Sequence, residues 1–390
     1  MARIAVLAQY YHPAFKAGGP VPGVRNAVKS LSGHAVMVFT SDRDLGDTEP
    51  FGEPYVGRAK VDDAEVTYLP GIAPGTAATW LRAARRLRTC DAVYINSLFS
   101  FPFSVAPLIY MTLVRFRGTV AIAPRGEMAP SALSLGRSRR KRIWLALLRL
   151  LAMDRSIGRK GNVVWLASSP AEQRNIVDAF PYARVYLSPE TLRSPSGDRP
   201  VAERVRGNEL ELICIARLAP VKGTIDLFKG LERVGRSIHL RMVGLAEDPR
   251  YVEELQAVEA RFSDAIRVSW LGSLPADAVT DALRTADCSV LLSRGENFSH
   301  AIGESLLAGC PVLISDQTPW SFVGERNAGF VLSSADCRDP DRVAQQIDEI
   351  AALTDADWRN MCLAARQCGE AGLVVPGTVT IEEALGFGSA

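Results

Sequence analysis

Arg294-Gly-Glu-Asn-Phe-Ser-His-Ala-Ile-Gly-Glu304, continuing as Ser305-Leu-Leu-Ala-Gly-Cys-Pro-Val-Leu-Ile314, sets two carboxylates eight residues apart across a strand-to-helix turn. The apolar run Cys288-Ser-Val-Leu-Leu292 before it suits a buried parallel strand, and Arg294-Gly-Glu-Asn297 is turn chemistry. The pattern predicts a helix from about Ser299, with that residue's hydroxyl as its cap. The free amides of its first turn would offer a diphosphate aligned N–H donors and the positive end of the helix dipole. Glu304 then falls inside the helix, about one turn on, while Glu296 stays on the loop. One carboxylate can reach a ribose diol and the other the hydroxyls of a sugar, with phosphates between them. Gly309 and Pro311 end the helix, and Val312-Leu-Ile314 begins the next strand. Taken alone, the pair reads equally as two solvated glutamates beside an ordinary turn.

A second element shifts that balance. Leu212-Ile-Cys-Ile-Ala-Arg217-Leu-Ala-Pro-Val-Lys222-Gly223 is a buried strand, then two cations five residues apart, then a helix from about Thr224. A departing diphosphate needs fixed positive charge as its bond to a sugar breaks. Arginine supplies a planar fork and lysine a point charge. Either cation alone would read as a surface charge after a strand.

Glu296-Asn-Phe-Ser-His-Ala-Ile-Gly-Glu304 with Leu307-Ala-Gly-Cys-Pro-Val-Leu-Ile-Ser-Asp-Gln-Thr-Pro-Trp320 resembles the donor-site signature of the retaining glycosyltransferases of family 4, in particular bacterial polysaccharide-type members. The upstream element resembles that family's G-R-L-x-x-x-K-G run, with Ala216 where the family usually has Gly. The resemblance is strong from Leu210 to Trp320 and weaker elsewhere. It implies an α/β protein of GT-B architecture, two facing Rossmann-like doubly wound domains with an interdomain cleft. It implies Glu296, Arg217 and Lys222 as catalytic residues, the two cations on the donor diphosphate and Glu296 on the sugar hydroxyls. Glu304 would hold the ribose, and Asn297, Phe298, Ser299, His300 and Ala301 would line the donor. The base would lie near Gly272 and Leu274, after the strand Arg267-Val-Ser-Trp270. The donor expected is a nucleotide diphosphate sugar, most simply a UDP-sugar, used without metal or other cofactor. Retention in the family is explained by front-face attack, a donor phosphate oxygen taking the acceptor's proton, so no general base is needed.

Nearer the start, Arg3-Ile-Ala-Val-Leu-Ala8 reads as a first buried strand and Gln9 to Pro22 as a loop with Gly18-Gly19-Pro20, before a helix from about Gly23. Paired glycines let backbone approach a ligand closely. The family carries a glycine loop here, which makes Gly18 and Gly19 donor contacts by resemblance. Pro124-Arg-Gly-Glu127 follows another strand, at the carboxyl edge where open α/β sheets bind ligands, and resembles an element of the polysaccharide branch. His12, Arg125 and Glu127 are therefore candidates for the cleft or the acceptor. A buried ion pair between Arg125 and Glu127 is the competing reading. Other branches place a histidine near this point and this chain does not. His34 and His239 read as structural, and Asp42-Arg-Asp44 as a turn after Val36-Met-Val-Phe-Thr40.

The 390 residues, 47% hydrophobic, exceed one comfortable core. Strand-helix alternation runs to about Leu187 and resumes at Glu209, so the expected domains are 1–190 on the acceptor side and 191–375 for the donor. Residues 376–390 would return to the first domain, as in many relatives. The boundary is expected in the Pro- and Ser-rich stretch Ser188–Pro200. The seven cysteines are scattered without metal-ligand spacing and read as small core residues of a reducing compartment. No metal site is expected. The chain enters its first strand almost at once, which leaves no room for a leader and makes the cytoplasm the expected location, with the inner face of the membrane as a candidate place within it.

Residues 136–161 hold nine basic side chains and one acidic, a net +8 in a chain of +2. With Ile143-Trp-Leu-Ala-Leu-Leu148 between the charges, the segment reads either as a basic amphipathic helix on an anionic membrane face or as a helix with a solvated rim and buried apolar side. A glycan or lipid-linked acceptor suits the first reading. Nucleic acid is not expected, since no recognition motif accompanies the charge. Leu98 to Val114, interrupted by Pro102 and Pro107, reads as a buried helix rather than a membrane span. A non-hydrolysing sugar-nucleotide epimerase, a non-catalytic partner of the same fold, and a transferase of secondary metabolism are the alternatives.

Overall fold

In this computed structural model the described residues are 1–129, 133, 138–150, 162–192, 206–246, 248–373 and 376–387. They form two compact units, one from Met1–Thr191 with Val375–Ala390, the other from Leu192–Val374.

The first unit is built on β1 (Arg3–Leu7), β2 (Ala35–Ser41), β3 (Arg58–Val61), β4 (Ala64–Leu69), β5 (Ala92–Ile95), β6 (Thr119–Ile122), β7 (Val163–Ala167) and β8 (Val185–Leu187). Their order in the sheet is β3-β4-β2-β1-β5-β6-β7-β8. β3 is antiparallel to its neighbour β4, and the other pairs are parallel. Successive side chains of a strand face opposite sides. Ala5, Leu7, Val93 and Ile95 accordingly enter one apolar layer, while Ile4, Val6, Ala92 and Tyr94 enter the other. Burial on both faces explains why these strands read as continuous apolar runs. Edge strand β3 carries exposed Arg58 and Lys60, charges that discourage pairing with another chain.

The first helix, Pro20–Ser30, begins three residues before the expected Gly23. Pro20 occupies its first position, where a fixed φ suits the helix and the missing N–H would have had no partner. Its Val24, Ala27 and Val28 join the layer of Ile4 and Val6. Ile381, Ala384 and Leu385 are buried in that same layer, and the Val379 amide donates to the Leu187 carbonyl at 2.9 Å.

In the helix Ser138–Leu150, Trp144, Leu145 and Leu148 turn into the core while Arg142 and Ile143 stay exposed. The Trp144 indole donates to the Leu98 carbonyl at 3.0 Å. The rest of the basic segment, 136–137 and 151–161, lies outside the described residues, as do 193–200 of the expected boundary. The Leu98–Val114 run is a π-helical turn, Phe101–Val105, leading into the helix Ala106–Leu113. It buries Leu108 and Met111 but leaves Leu113 exposed. Among the described residues no helix is long and apolar enough to cross a membrane.

The second unit has β9 (Leu210–Ile215), β10 (Ile238–Val243), β11 (Ile266–Gly272), β12 (Cys288–Leu291), β13 (Val312–Ser315) and β14 (Gly329–Leu332). They are all parallel, in the order β11-β10-β9-β12-β13-β14. The direction of winding reverses between β9 and β12, the point at which open α/β sheets take their ligands. Cys214, Cys288 and Cys310 are buried core residues, and burial pushes the Cys214 thiol up to about 12.

The helix His300–Leu307, which follows β12, is set by close packing. Gly303 faces the Leu192 side chain, and Gly369 of the helix Asp355–Ala371 lies against its last turn. A β-carbon at Gly369 would stand 2.4 Å from the Leu307 nitrogen, a backbone atom that cannot swing away. Gly369→Ala is expected to cost about 1–3 kcal/mol through overpacking, read as a lower urea midpoint. An unchanged midpoint would show that this contact does not hold the helix.

Candidate functional site

The loops after β9 and β12 are bound together where the winding reverses. Gly223, at φ +69°, presses on the end of β12, where a β-carbon would meet the Leu292 carbonyl oxygen at 1.9 Å. The Arg294 amide and the Ser293 hydroxyl both donate to the Val221 carbonyl, at 2.8 and 3.1 Å. The Arg294 guanidinium lies 3.2 Å from Asp226 in the helix Thr224–Leu231. These ties bring Lys222 Nζ to 2.7 Å from Glu296 Oε1, with side chains only 18% and 7% exposed. Ions so far out of water hold their charges only when paired and hydrogen-bonded.

Beyond Glu296, the Phe298 ring is buried 4.9 Å from that of His300. Asn297, Ser299, Ala301 and Glu304 are partly exposed, and Glu304 lies one turn into the helix His300–Leu307. Ser299 occupies the cap position, but its hydroxyl makes no capping bond among the described residues. Its backbone is left-handed, φ +64° and ψ +83°, whereas a capping serine is extended.

Arg217 is exposed just past the end of β9. Next to it the Leu218 amide donates to the Leu245 carbonyl, and the Gly244 amide to the Gly272 carbonyl, both at 2.9 Å. The close approach of these strand ends is made by Gly244, whose β-carbon would lie 1.8 Å from the Ala216 carbonyl oxygen. The alanine at 216 packs its methyl into the core. Gly272, at φ +65°, is exposed at the end of β11, and Leu274 packs on the cluster of Val279 and Leu283. The second unit's candidates thus follow the carboxyl ends of β11, β9 and β12, which with β10 between them span three strand spacings or ~14 Å.

In the first unit, Arg125 and Glu127 take separate partners, so the ion pair between them is not formed. Arg125, at φ +54°, has a side chain only 11% exposed. Its guanidinium donates to Asn96 Oδ1 at 3.1 Å, Ser168 Oγ at 2.7 Å and Tyr94 Oη at 2.6 Å, and lies 3.7 Å from Glu190. Glu127 accepts from the Leu98 and Phe99 amides and the Ser97 hydroxyl. Burial pushes its carboxyl up despite those bonds. The two side chains diverge because β5, β7 and β8 end on one side of Arg125 and the loop after β5 meets Glu127. Asn96 and Ser168 were missed in the sequence. Their place just past β5 and β7, at the ligand-bearing edge, was the available signal.

The glycine loop is held from outside itself. Asp44, buried, accepts from the Phe15 amide at 2.7 Å and the Lys16 amide at 3.0 Å. It is more than the turn residue expected. Gly18 has φ +68° and open space where a side chain would lie, while Gly19 caps the helix Pro20–Ser30. His12 Nε2 stands 3.0 Å from the Tyr55 hydroxyl, and burial pushes its pKa down.

Among the described residues one group could gather an ion, Glu209, Glu211 and His239 on the second sheet. Arg267 and Arg241 already pair with its two carboxylates, at 2.8 and 3.4 Å.

Arg125→Met would take the guanidinium from the little-exposed Glu190 carboxylate, cost Tyr94 and Ser168 a donor, and leave Asn96 Oδ1 with the Tyr94 hydroxyl. A loss of about 3 kcal/mol is expected, measured by urea unfolding. A wild-type midpoint would show that the network is not structural.

Residues 209–352 match the family model described as Glycosyl transferases group 1. No curated protein matches the chain. Among solved structures it is similar to HepE from Anabaena, determined with UDP and glucose, at 16% identity and TM-score 0.68 over 96% of each chain. It is also similar to sucrose-phosphate synthase from Thermosynechococcus elongatus, at 15% identity and TM-score 0.68 over 99% of this chain and 96% of that one. WaaG, a glycosyltransferase involved in lipopolysaccharide biosynthesis, aligns at 12% identity and TM-score 0.64 over 98% of each chain. At these identities the likeness is one of fold, the two Rossmann-like units of GT-B glycosyltransferases. The stretch that matches the group 1 glycosyl transferase model, residues 209–352, contains every candidate of the second unit, from Arg217 to Glu304.

Proposed function

We propose that this chain is a retaining, metal-independent glycosyltransferase that moves a sugar from a UDP-sugar to a hydroxyl of a glycan or lipid-linked acceptor in bacterial polysaccharide biosynthesis. The observation that carries the reading is the Lys222–Glu296 pair at the winding reversal, flanked by Arg217 and Glu304. HepE, solved with UDP-glucose, supports the choice of base, and WaaG the class of product.

On this reading the donor lies along the carboxyl ends of the second sheet. Its base rests by Gly272 and Leu274, its ribose against Glu304, and its diphosphate between Arg217 and Lys222. Phosphate arriving at Lys222 frees Glu296 to accept from the sugar's hydroxyls, so one ion pair becomes two ligand contacts. Arg217 and Lys222 then stabilise the charge that grows on the leaving diphosphate. The amides beginning the helix His300–Leu307 add to it. Attack from the front face lets a phosphate oxygen take the acceptor's proton.

We assign the first unit to the acceptor, with His12 as a contact to it, and keep Gly18 and Gly19 as the donor contacts that the resemblance implies. Arg125 and Glu127 shape that unit's carboxyl edge through their buried bonds. The outward Arg142 and Ile143 of the helix Ser138–Leu150 suit contact with an anionic membrane face, on the cytoplasmic side where lipid-linked acceptors are built.

The test is a thermal-shift series in EDTA with UDP-, GDP-, ADP- and dTDP-sugars, on wild type and on Arg217→Ala/Lys222→Ala. UDP-sugar should raise the midpoint of wild type and not of the double variant. Glu304→Ala should lower turnover about 10²-fold while the fold persists. No shift with any donor would overturn the reading, and release of free UDP without an acceptor would favour the epimerase.

A further inference from the structure

The donor loop 293–299 carries a backbone conformation that its own sequence does not favour. Ser299 is left-handed, a region that residues other than glycine adopt at a cost. Something outside the loop must hold it there.

The last residue of β13 and the loop after it supply three ties. Ser315 Oγ donates to the Ser293 carbonyl, the Glu296 amide donates to the Gln317 carbonyl at 3.0 Å, and Trp320 Nε1 donates to the Phe298 carbonyl at 2.6 Å. The third acts closest to the strain. The Phe298 carbonyl and the Ser299 amide share one rigid peptide plane, so fixing the carbonyl fixes the plane leading into the left-handed residue. The indole is itself immobile. Trp320 is fully buried, its ring 5.9 Å from that of Phe298 in an edge-on contact, and its amide donates to Thr318 Oγ1.

We propose that Trp320 is a positioning residue for the reaction, which holds Ser299 left-handed through the Phe298 carbonyl and so fixes Glu296 and the first amides of the helix His300–Leu307 in the geometry that receives the donor. The inference rests on the donor-site reading above. Trp320 acts through the loop and touches no substrate.

The experiment is a double-mutant cycle of Trp320→Phe and Ser299→Gly. Phenylalanine keeps an aromatic ring and loses the N–H. Glycine takes the left-handed region without penalty. Amide hydrogen exchange on the protein without donor reads the loop directly. Trp320→Phe should lose protection in 296–302, and Ser299→Gly added to it should restore that protection. UDP-sugar affinity should fall about tenfold in Trp320→Phe, the loss of one buried hydrogen bond, and recover in the double variant with turnover following KM rather than kcat. A tryptophan needed only for packing would give a defect that glycine at 299 does not repair, and that outcome overturns the proposal. So does unchanged exchange in 296–302. Should Trp320→Phe not fold, Ser299→Gly alone decides, since relief of strain must raise its melting temperature, and a lower one sinks the idea. A wild type that binds no nucleotide sugar refutes the functional reading, while the exchange arm still judges Trp320.

Discussion

A right-handed crossover admits only one face for the helix that carries a parallel strand to a given side. From β9 the second unit winds towards β10, and from β12 it winds the opposite way towards β13, so the two following helices are forced onto opposite faces of the sheet. Their separate cores show it. Ile225, Leu227 and Phe228 pack with Leu212 and Cys214, whereas Ile302 and Leu306 pack with Leu291 and Ile314. Between two helices that leave in opposite directions the carboxyl ends of β9 and β12 stay uncovered. Every candidate charge of this unit stands along that edge because chirality leaves it open there.

Into that opening the fold puts a lysine and a glutamate that water barely reaches. Each would be costly alone, and together they are held by the turn at Gly223 and by the ties of Arg294 and Ser293 to Val221. The first unit treats its own edge differently. Arg125 is spread over Asn96, Tyr94, Ser168 and Glu190, so its donors serve the protein. The same residue type at the same kind of place is exposed in one unit, as Arg217, and enclosed in the other.

What could be read from the chain was local. The strand Cys288–Leu291, the helix starts near Thr224 and Ser299, and the stop at Gly309 follow from apolar periodicity and from glycine and proline positions. Pro20 was a legible signal too, though the helix was expected from Gly23. The rest depends on residues distant in sequence. Lys222 and Glu296 are 74 positions apart. The left-handed turn at Ser299 depends on an indole 21 residues later, and the partners of Arg125 come from the ends of several strands. Capping by Ser299 was a sound local inference overridden by that tertiary bond. Close approaches at Gly369 and Gly244 need a second element in view before a glycine acquires its meaning.

The return of Ile381, Ala384 and Leu385 to the core beneath β1 makes the second unit an insertion, a continuous stretch of chain between two pieces of the first. Synthesis proceeds from the amino end. The unit that leaves the ribosome first therefore waits, with Ile4, Val6 and Val24 lacking part of their cover, until the whole of the other has been made. The later unit can complete its core from contiguous residues, and the earlier one is the last to be finished.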